Sequence, residues 1–146
     1  ANVLVASYDT DNRCPFFFFF VTEATVRASP RIKRKTERLE DFLLRDVARA
    51  TTAAPTFFTP ARVRSVDGNT YSLVDGGLVA NNPAMSAYVE ARKIKPEARR
   101  YVIVSIGTGS SGRRFSHDTI KKWGYIDWVS PVLGVPLMSF ISDGQS

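Results

Sequence analysis

Five consecutive phenylalanines, Phe16 to Phe20, leave few places in a fold for the segment that carries them. Side chains of a β-strand point alternately to opposite faces, so an unbroken apolar run is satisfied only where both faces of a sheet are covered. The run therefore predicts a buried strand rather than an exposed lipid-binding patch, because contiguous apolar patches of that size are rare on soluble domains. Even extended from Pro15 to Val21 it falls well short of the roughly 18 residues that a membrane-spanning helix requires.

The rest of the chain alternates strand-like and helix-like segments. Val3 to Tyr8 is a β-rich run closed by the turn-forming Asp9-Thr10-Asp11-Asn12. Leu39, Leu43 and Val47 recur at helical spacing and predict a helix from Glu37 to Thr52, ended by Ala54-Pro55 because proline disfavours helical backbone in the residue before it. Val63 to Val66 and Tyr71 to Val74 flank Asp67-Gly68-Asn69 and read as a hairpin. Asn82 suits a helix N-cap and Pro83 a first helical position, with Met85, Tyr88, Val89 and Arg92 continuing the helix to Ile94. Tyr101 to Ile106 is the clearest buried strand, and a short helix is expected over Ser116 to Trp123 before an aromatic, proline-broken tail. This alternation, with no internal repeat, indicates an α/β fold.

At 146 residues the chain is one domain or a piece of one. Its 44% apolar and 23% charged residues exclude disorder, collagen and coiled coil as descriptions of the whole. A single cysteine, Cys14, cannot form an internal disulfide, and one Cys with one His gives no zinc pattern. No secretory signal is visible at Ala1-Asn2-Val3-Leu4-Val5, which leaves a cytoplasmic or peripheral membrane location as the expectation. The net charge of +6 is concentrated in Arg27, Arg31, Lys33, Arg34, Lys35 and Arg38. Such a run reads first as a solvated loop and second as a contact for lipid phosphates. Nucleic acid is not expected, since no stacking motif or binding fold accompanies the charge.

Three places could carry chemistry. In Leu73-Val74-Asp75-Gly76-Gly77-Leu78 an acid ends an apolar strand, the position at which open α/β sheets bind ligands. Gly76 and Gly77 allow a sharp turn and a close backbone approach, and a carboxylate held there can act as a general base or orient a nucleophile. Asp-Gly is also common in plain turns, and spacing alone does not decide between the two. Gly107-Thr108-Gly109-Ser110-Ser111-Gly112 matches the dinucleotide fingerprint, with Asp127 twenty residues beyond Gly107. Against it, Arg113-Arg114-Phe115 separate the glycines from a helix too short for a crossover. His117 could follow Asp75 in a Ser–Asp–His order, yet a lone histidine beside Asp118 reads more simply as a surface residue. No G-x-S-x-G nucleophile elbow occurs anywhere in the chain.

Three separated blocks carry a family resemblance. They are Phe42-Leu43-Leu44-Arg45-Asp46-Val47-Ala48-Arg49-Ala50-Thr51-Thr52-Ala53-Ala54-Pro55-Thr56-Phe57-Phe58, Val74-Asp75-Gly76-Gly77-Leu78-Val79-Ala80-Asn81-Asn82-Pro83 and Val104-Ser105-Ile106-Gly107-Thr108-Gly109. In that order they resemble patatin-like phospholipases. The resemblance implies a three-layer α/β sandwich with a central, mostly parallel sheet and a lipid acyl hydrolase of phospholipase A type. It implies a Ser–Asp dyad in which Asp75 is the aspartate, supported by Gly76 and Gly77, with no cofactor and no metal. The nucleophilic serine and the glycine-rich oxyanion loop of that family lie upstream of the aspartate block and are not in this chain. Residues 1–146 are therefore expected to be the C-terminal portion of one such domain, truncated at both ends and inactive alone. Phospholipids or related glycerolipid esters are the implied substrates.

The tail from Trp123 to Ile141, rich in aromatic and apolar side chains, is expected to pack on the sheet or on other parts of the domain, with a role at the acyl-chain entrance as the alternative. Two rival functions follow from the sequence: a membrane-surface binding module built on the basic run and the tail, and a nucleotide-binding module built on Gly107 to Gly112.

Overall fold

The structure is a computed structural model and describes residues 2–20, 41–109 and 114–145. Four strands, β1 (Val3–Asp9), β2 (Cys14–Phe20), β3 (Ala61–Arg64) and β4 (Thr70–Asp75), form one sheet in the order β2-β1-β4-β3. Helices α1 (Leu44–Thr51), α2 (Gly77–Ala80), α3 (Ala84–Ile94), α4 (His117–Ile120), α5 (Tyr125–Val129) and α6 (Pro136–Asp143) complete an α/β chain, with a 3₁₀ turn at Pro131–Leu133.

All three strand pairings are antiparallel, where a mostly parallel sheet was expected. The connections explain the difference. Two of the pairs are hairpins closed by short turns, and parallel pairing requires a crossover of a dozen or more residues. Tyr101–Ile106, the segment expected as the clearest buried strand, forms no strand at all: Val102 is 93% and Ile106 90% exposed. Its side-chain pattern states a demand for burial, but a strand also needs a neighbour to share its backbone hydrogen bonds, and among the described residues none lies alongside.

The phenylalanine run is a strand, but not one covered on both faces. As β2 it lies at the sheet edge, paired with β1 from Val3↔Phe20 to Asp9↔Cys14. Phe16 and Phe18 turn to one face, where their rings meet those of Phe42 and Tyr71 at centroid separations of 4.9 to 6.0 Å. Phe17, pointing the other way, is 38% exposed.

The core lies on the Phe18 face. Val47 and Ala50, one helical turn apart on α1, are buried there with Ala53, Ala61, Val63 and Leu73. Asp46 in the first turn of α1 and Arg49 in the last complement the helix dipole. Of the predicted helix over Glu37 to Thr52, residues 37–40 lie outside the described residues and 41–43 are not helical. Val66 N–H donates to the Asp41 carbonyl at 2.8 Å, and Phe42 is drawn into the aromatic group, so this stretch belongs to the sheet side rather than to the helix. The second hairpin closes as expected, one or two residues early, with Gly68 carrying the left-handed φ of +99°.

The turn between β1 and β2 is organised by Asp9, which is only 2% exposed. Its Oδ1 accepts the N–H groups of Asp11 and Asn12 at 2.9 and 3.1 Å, and its Oδ2 accepts Asn12 Nδ2 at 2.7 Å. Burial by itself raises the pKa of this carboxyl, but the hydrogen bonds from the Asn12 side chain and the two backbone N–H groups outweigh it, so Asp9 sits below its ordinary value of 3.8. A folded-state pKa below the unfolded one adds stability above the unfolded value, and that stability is lost as pH falls through the folded value. Asp9→Ala is therefore expected to cost about 2 kcal/mol at neutral pH, the scale of hydrogen bonds to a charged group. The gap to the parent in denaturant midpoints should shrink as pH is lowered from about 4 towards 2; a gap that stays constant would show that the charge contributes nothing.

Candidate active site

Asp75 is the last residue of β4, held from two sides. Its place in the sheet is set by Ser7↔Asp75 pairing with β1, while its N–H donates to the Ala53 carbonyl and that of Gly76 to the Thr51 carbonyl, at 3.1 and 3.3 Å. These two bonds tie the strand end to the C-terminus of α1. Thr51 Oγ1 in turn donates to the Ala6 carbonyl at 2.7 Å, so α1, β1 and β4 converge at this point.

Gly76 is buried in the convergence. A Cβ there would stand 2.1 Å from the Ala6 carbonyl oxygen, so only a residue without one lets the strands close. The next residue turns the chain into α2, and Gly77 N–H donates to Asp75 Oδ1 at 2.6 Å. One carboxylate oxygen is thus fixed by the backbone. The other, Oδ2, has no hydrogen-bond donor among the described residues, and the side chain is half-buried. An oriented carboxylate with one free oxygen is suited to accept a proton from a group brought against it.

Ser7 is fully buried beside this site, but its Oγ donates to the Val74 carbonyl at 2.6 Å, which engages its hydroxyl in holding the strands together. His117 opens α4 as an exposed residue behind its N-cap Ser116, and no hydrogen bond links it to Asp75 among the described residues. Gly107 and Gly109 lie on an exposed segment with no strand before them, and residues 110–113 lie outside the described residues, as does the basic run from Arg27 to Arg38. The dinucleotide fingerprint requires a strand leading into its first glycine, so that expectation fails here. Among the described residues no group of three or more His, Cys, Asp or Glu side chains could hold a metal ion.

An open cleft of about 1390 Å³ lies beside the site rather than on it. Asn81, Asn82, Ser105, Thr108, Val135 and Met138 are on its walls, and Asp75 is not. Asn82 Oδ1 accepts the N–H of Ala84 at 3.2 Å, but the helix opens one residue later than expected, at Ala84, with Pro83 rather than Asn82 at the cap position. Neither Asn81 nor Gln145 stood out in the sequence, yet they join α6 to α2. Gln145 Oε1 accepts Asn81 N–H at 2.9 Å, Gln145 Nε2 donates to the Leu78 carbonyl at 3.1 Å, and Asn81 Nδ2 donates to the Ser142 carbonyl at 3.2 Å.

Fold and site together define an α/β protein that presents a strand-end carboxylate on a glycine turn. A family model described as patatin-like phospholipase matches residues 8–88, which include Asp75-Gly76-Gly77 and Asn81-Asn82-Pro83. Patatin-like protein 2 of Oryza sativa subsp. indica is 27% identical over 99% of the chain, and patatin-like protein 2 of Arabidopsis thaliana 29% over 99%. Patatin-like protein 1 of Arabidopsis thaliana is 34% identical over 68% of the chain. The chain belongs to the patatin-like phospholipase family. It spans 38%, 37% and 30% of the length of these three relatives. No helix of the described residues is long and apolar enough to cross a membrane.

Proposed function

We propose that this chain is the aspartate-bearing portion of a lipid acyl hydrolase of phospholipase A type, acting on phospholipids or related glycerolipid esters through a Ser–Asp dyad. Asp75 is the general base. The nucleophilic serine, on a G-x-S-x-G elbow, and the oxyanion loop belong to the same domain outside residues 1–146. The observation that supports this most is the Asp75 carboxylate itself, with Oδ1 held by Gly77 N–H at 2.6 Å and Oδ2 without a donor among the described residues.

In the acylation step Asp75 Oδ2 takes the proton of the serine hydroxyl as its oxygen attacks the ester carbonyl. The tetrahedral oxyanion is stabilised by backbone N–H donors of the oxyanion loop, each worth roughly 10²–10³ in rate. The proton passes to the leaving alcohol as the C–O bond breaks, giving an acyl-enzyme. Water then attacks the acyl carbon with the same carboxylate as base, and the proton passes on to the serine oxygen as the acyl C–O bond breaks and the fatty acid leaves. Only one carboxylate is needed to move the proton in both halves.

The decisive experiment is hydrolysis of a phospholipid and of a short-chain p-nitrophenyl ester by the full-length protein and its Asp75→Asn variant. Turnover lost in the variant supports the dyad; turnover retained overturns it. Because one missing donor already costs that much, residues 1–146 alone are expected to hydrolyse neither ester above the buffer rate, measured by product release against a blank.

A second function, binding to a membrane surface without catalysis, draws on the exposed apolar side chains Tyr125, Ile126 and Val132 near Lys121 and Lys122 in sequence. Liposome association that falls steeply with salt, in a protein without esterase activity, would favour it.

A further inference from the structure

α2 is a four-residue helix, far too short to hold its own shape. Its first residue supplies the N–H that fixes Asp75 Oδ1. Its last turn is held from a distance: the Leu78 carbonyl, which a helix C-terminus leaves without a partner, accepts from Gln145 Nε2, and the N–H of Asn81, just past the helix, donates to Gln145 Oε1. Asn81 adds the bond back to Ser142 on α6. The Asn81 and Asp75 side chains also flank one point. A Cβ on Gly77 would lie 3.0 Å from Asp75 Oδ1 and 3.5 Å from Asn81 Oδ1. The helix is therefore a short lever with the candidate base at one end and a polar latch at the other.

We propose that Asn81 and Gln145 are positioning residues for Asp75: by clamping α2 to α6 they set the direction of the Gly77 N–H and through it the orientation of the carboxylate. This rests on Asp75 being the general base. A misplacement of about 1 Å from a residue remote from the chemistry can lower turnover by up to about 10²-fold.

The test uses the full-length protein and a short-chain p-nitrophenyl ester. Gln145→Ala removes both bonds to α2 and is expected to lower kcat about tenfold with KM within about twofold, the sensitivity of a group displaced from its productive orientation. Gln145→Glu, which keeps the oxygen that accepts Asn81 N–H, should recover part of the loss. Asn81→Ala, which removes only the bond to Ser142, carries the same test should Gln145→Ala fail to fold, with a smaller fall in kcat in the same direction. α6 also walls the neighbouring cleft, so a change confined to KM would mean that the latch shapes that cleft, and would overturn the proposal. So would an unchanged kcat in variants that fold, alongside an inactive Asp75→Asn protein. An active Asp75→Asn protein would instead remove the base assignment and the latch with it.

Discussion

Replacing Gly76 by alanine is expected to cost the fold about 3 kcal/mol, the upper end of what forcing extra atoms into a packed site does. The reason is space alone. Gly76 has φ −66° and ψ −22°, which any residue adopts, so alanine meets no conformational penalty. What its methyl group meets is backbone: the Ala6 carbonyl oxygen at 2.1 Å, its carbon at 2.5 Å and the Ala6 Cβ at 2.9 Å. Ala6 cannot swing aside, because it pairs with Phe17 in the hairpin and its carbonyl accepts Thr51 Oγ1. Gly77→Ala is the matched comparison. Its methyl group would stand 3.0 Å from an Asp75 carboxylate oxygen, a side-chain atom that needs to move only a few tenths of an ångström, and it should cost far less. Urea unfolding of both variants checks this. Equal midpoints would mean that β1 does not lie against position 76.

The sequence makes some of this arrangement legible and hides the rest for physical reasons. Asp75 at the strand end, the Gly68 turn and the helix begun after Asn82-Pro83 are readable because each depends on residues adjacent in the chain. The orientation of the phenylalanine strand is not, since identical residues on both faces carry no period. Phe17 and Phe18 look alike in the sequence and differ only in what the fold places over them. Tyr101–Ile106 states a need for burial without naming the neighbour that would meet it. The antiparallel pairings of β1 with β4, like the start of α1 at Leu44 instead of Glu37, depend on partners as distant as Ser7 and Asp75 or Asp41 and Val66. The Gln145 latch is the least legible of these, a polar residue acting 64 positions from its partner with no pattern around it.

Asp75→Asn should separate chemistry from architecture more cleanly than any other substitution. Asparagine keeps an oxygen to accept the Gly77 N–H and has nearly the volume of aspartate, so the turn into α2 and the backbone bonds to Ala53 and Thr51 remain. What disappears is the negative charge and with it the ability to take a proton from a hydroxyl. A positioned general base contributes roughly 10²–10⁴ in rate. In a dyad the same carboxylate serves both half-reactions, so kcat of the full-length protein should fall by at least about 10³ with KM little changed, while the thermal midpoint moves by no more than about 2 °C, as for a substitution outside the packed core. Mutating a fold-supporting residue reverses that pattern, with stability falling first and activity following the folded fraction. A variant that stays folded and loses turnover assigns Asp75 to the reacting atoms. One that keeps turnover within about tenfold, less than a positioned base supplies, assigns it to the turn, where Asp-Gly needs no chemistry to explain it.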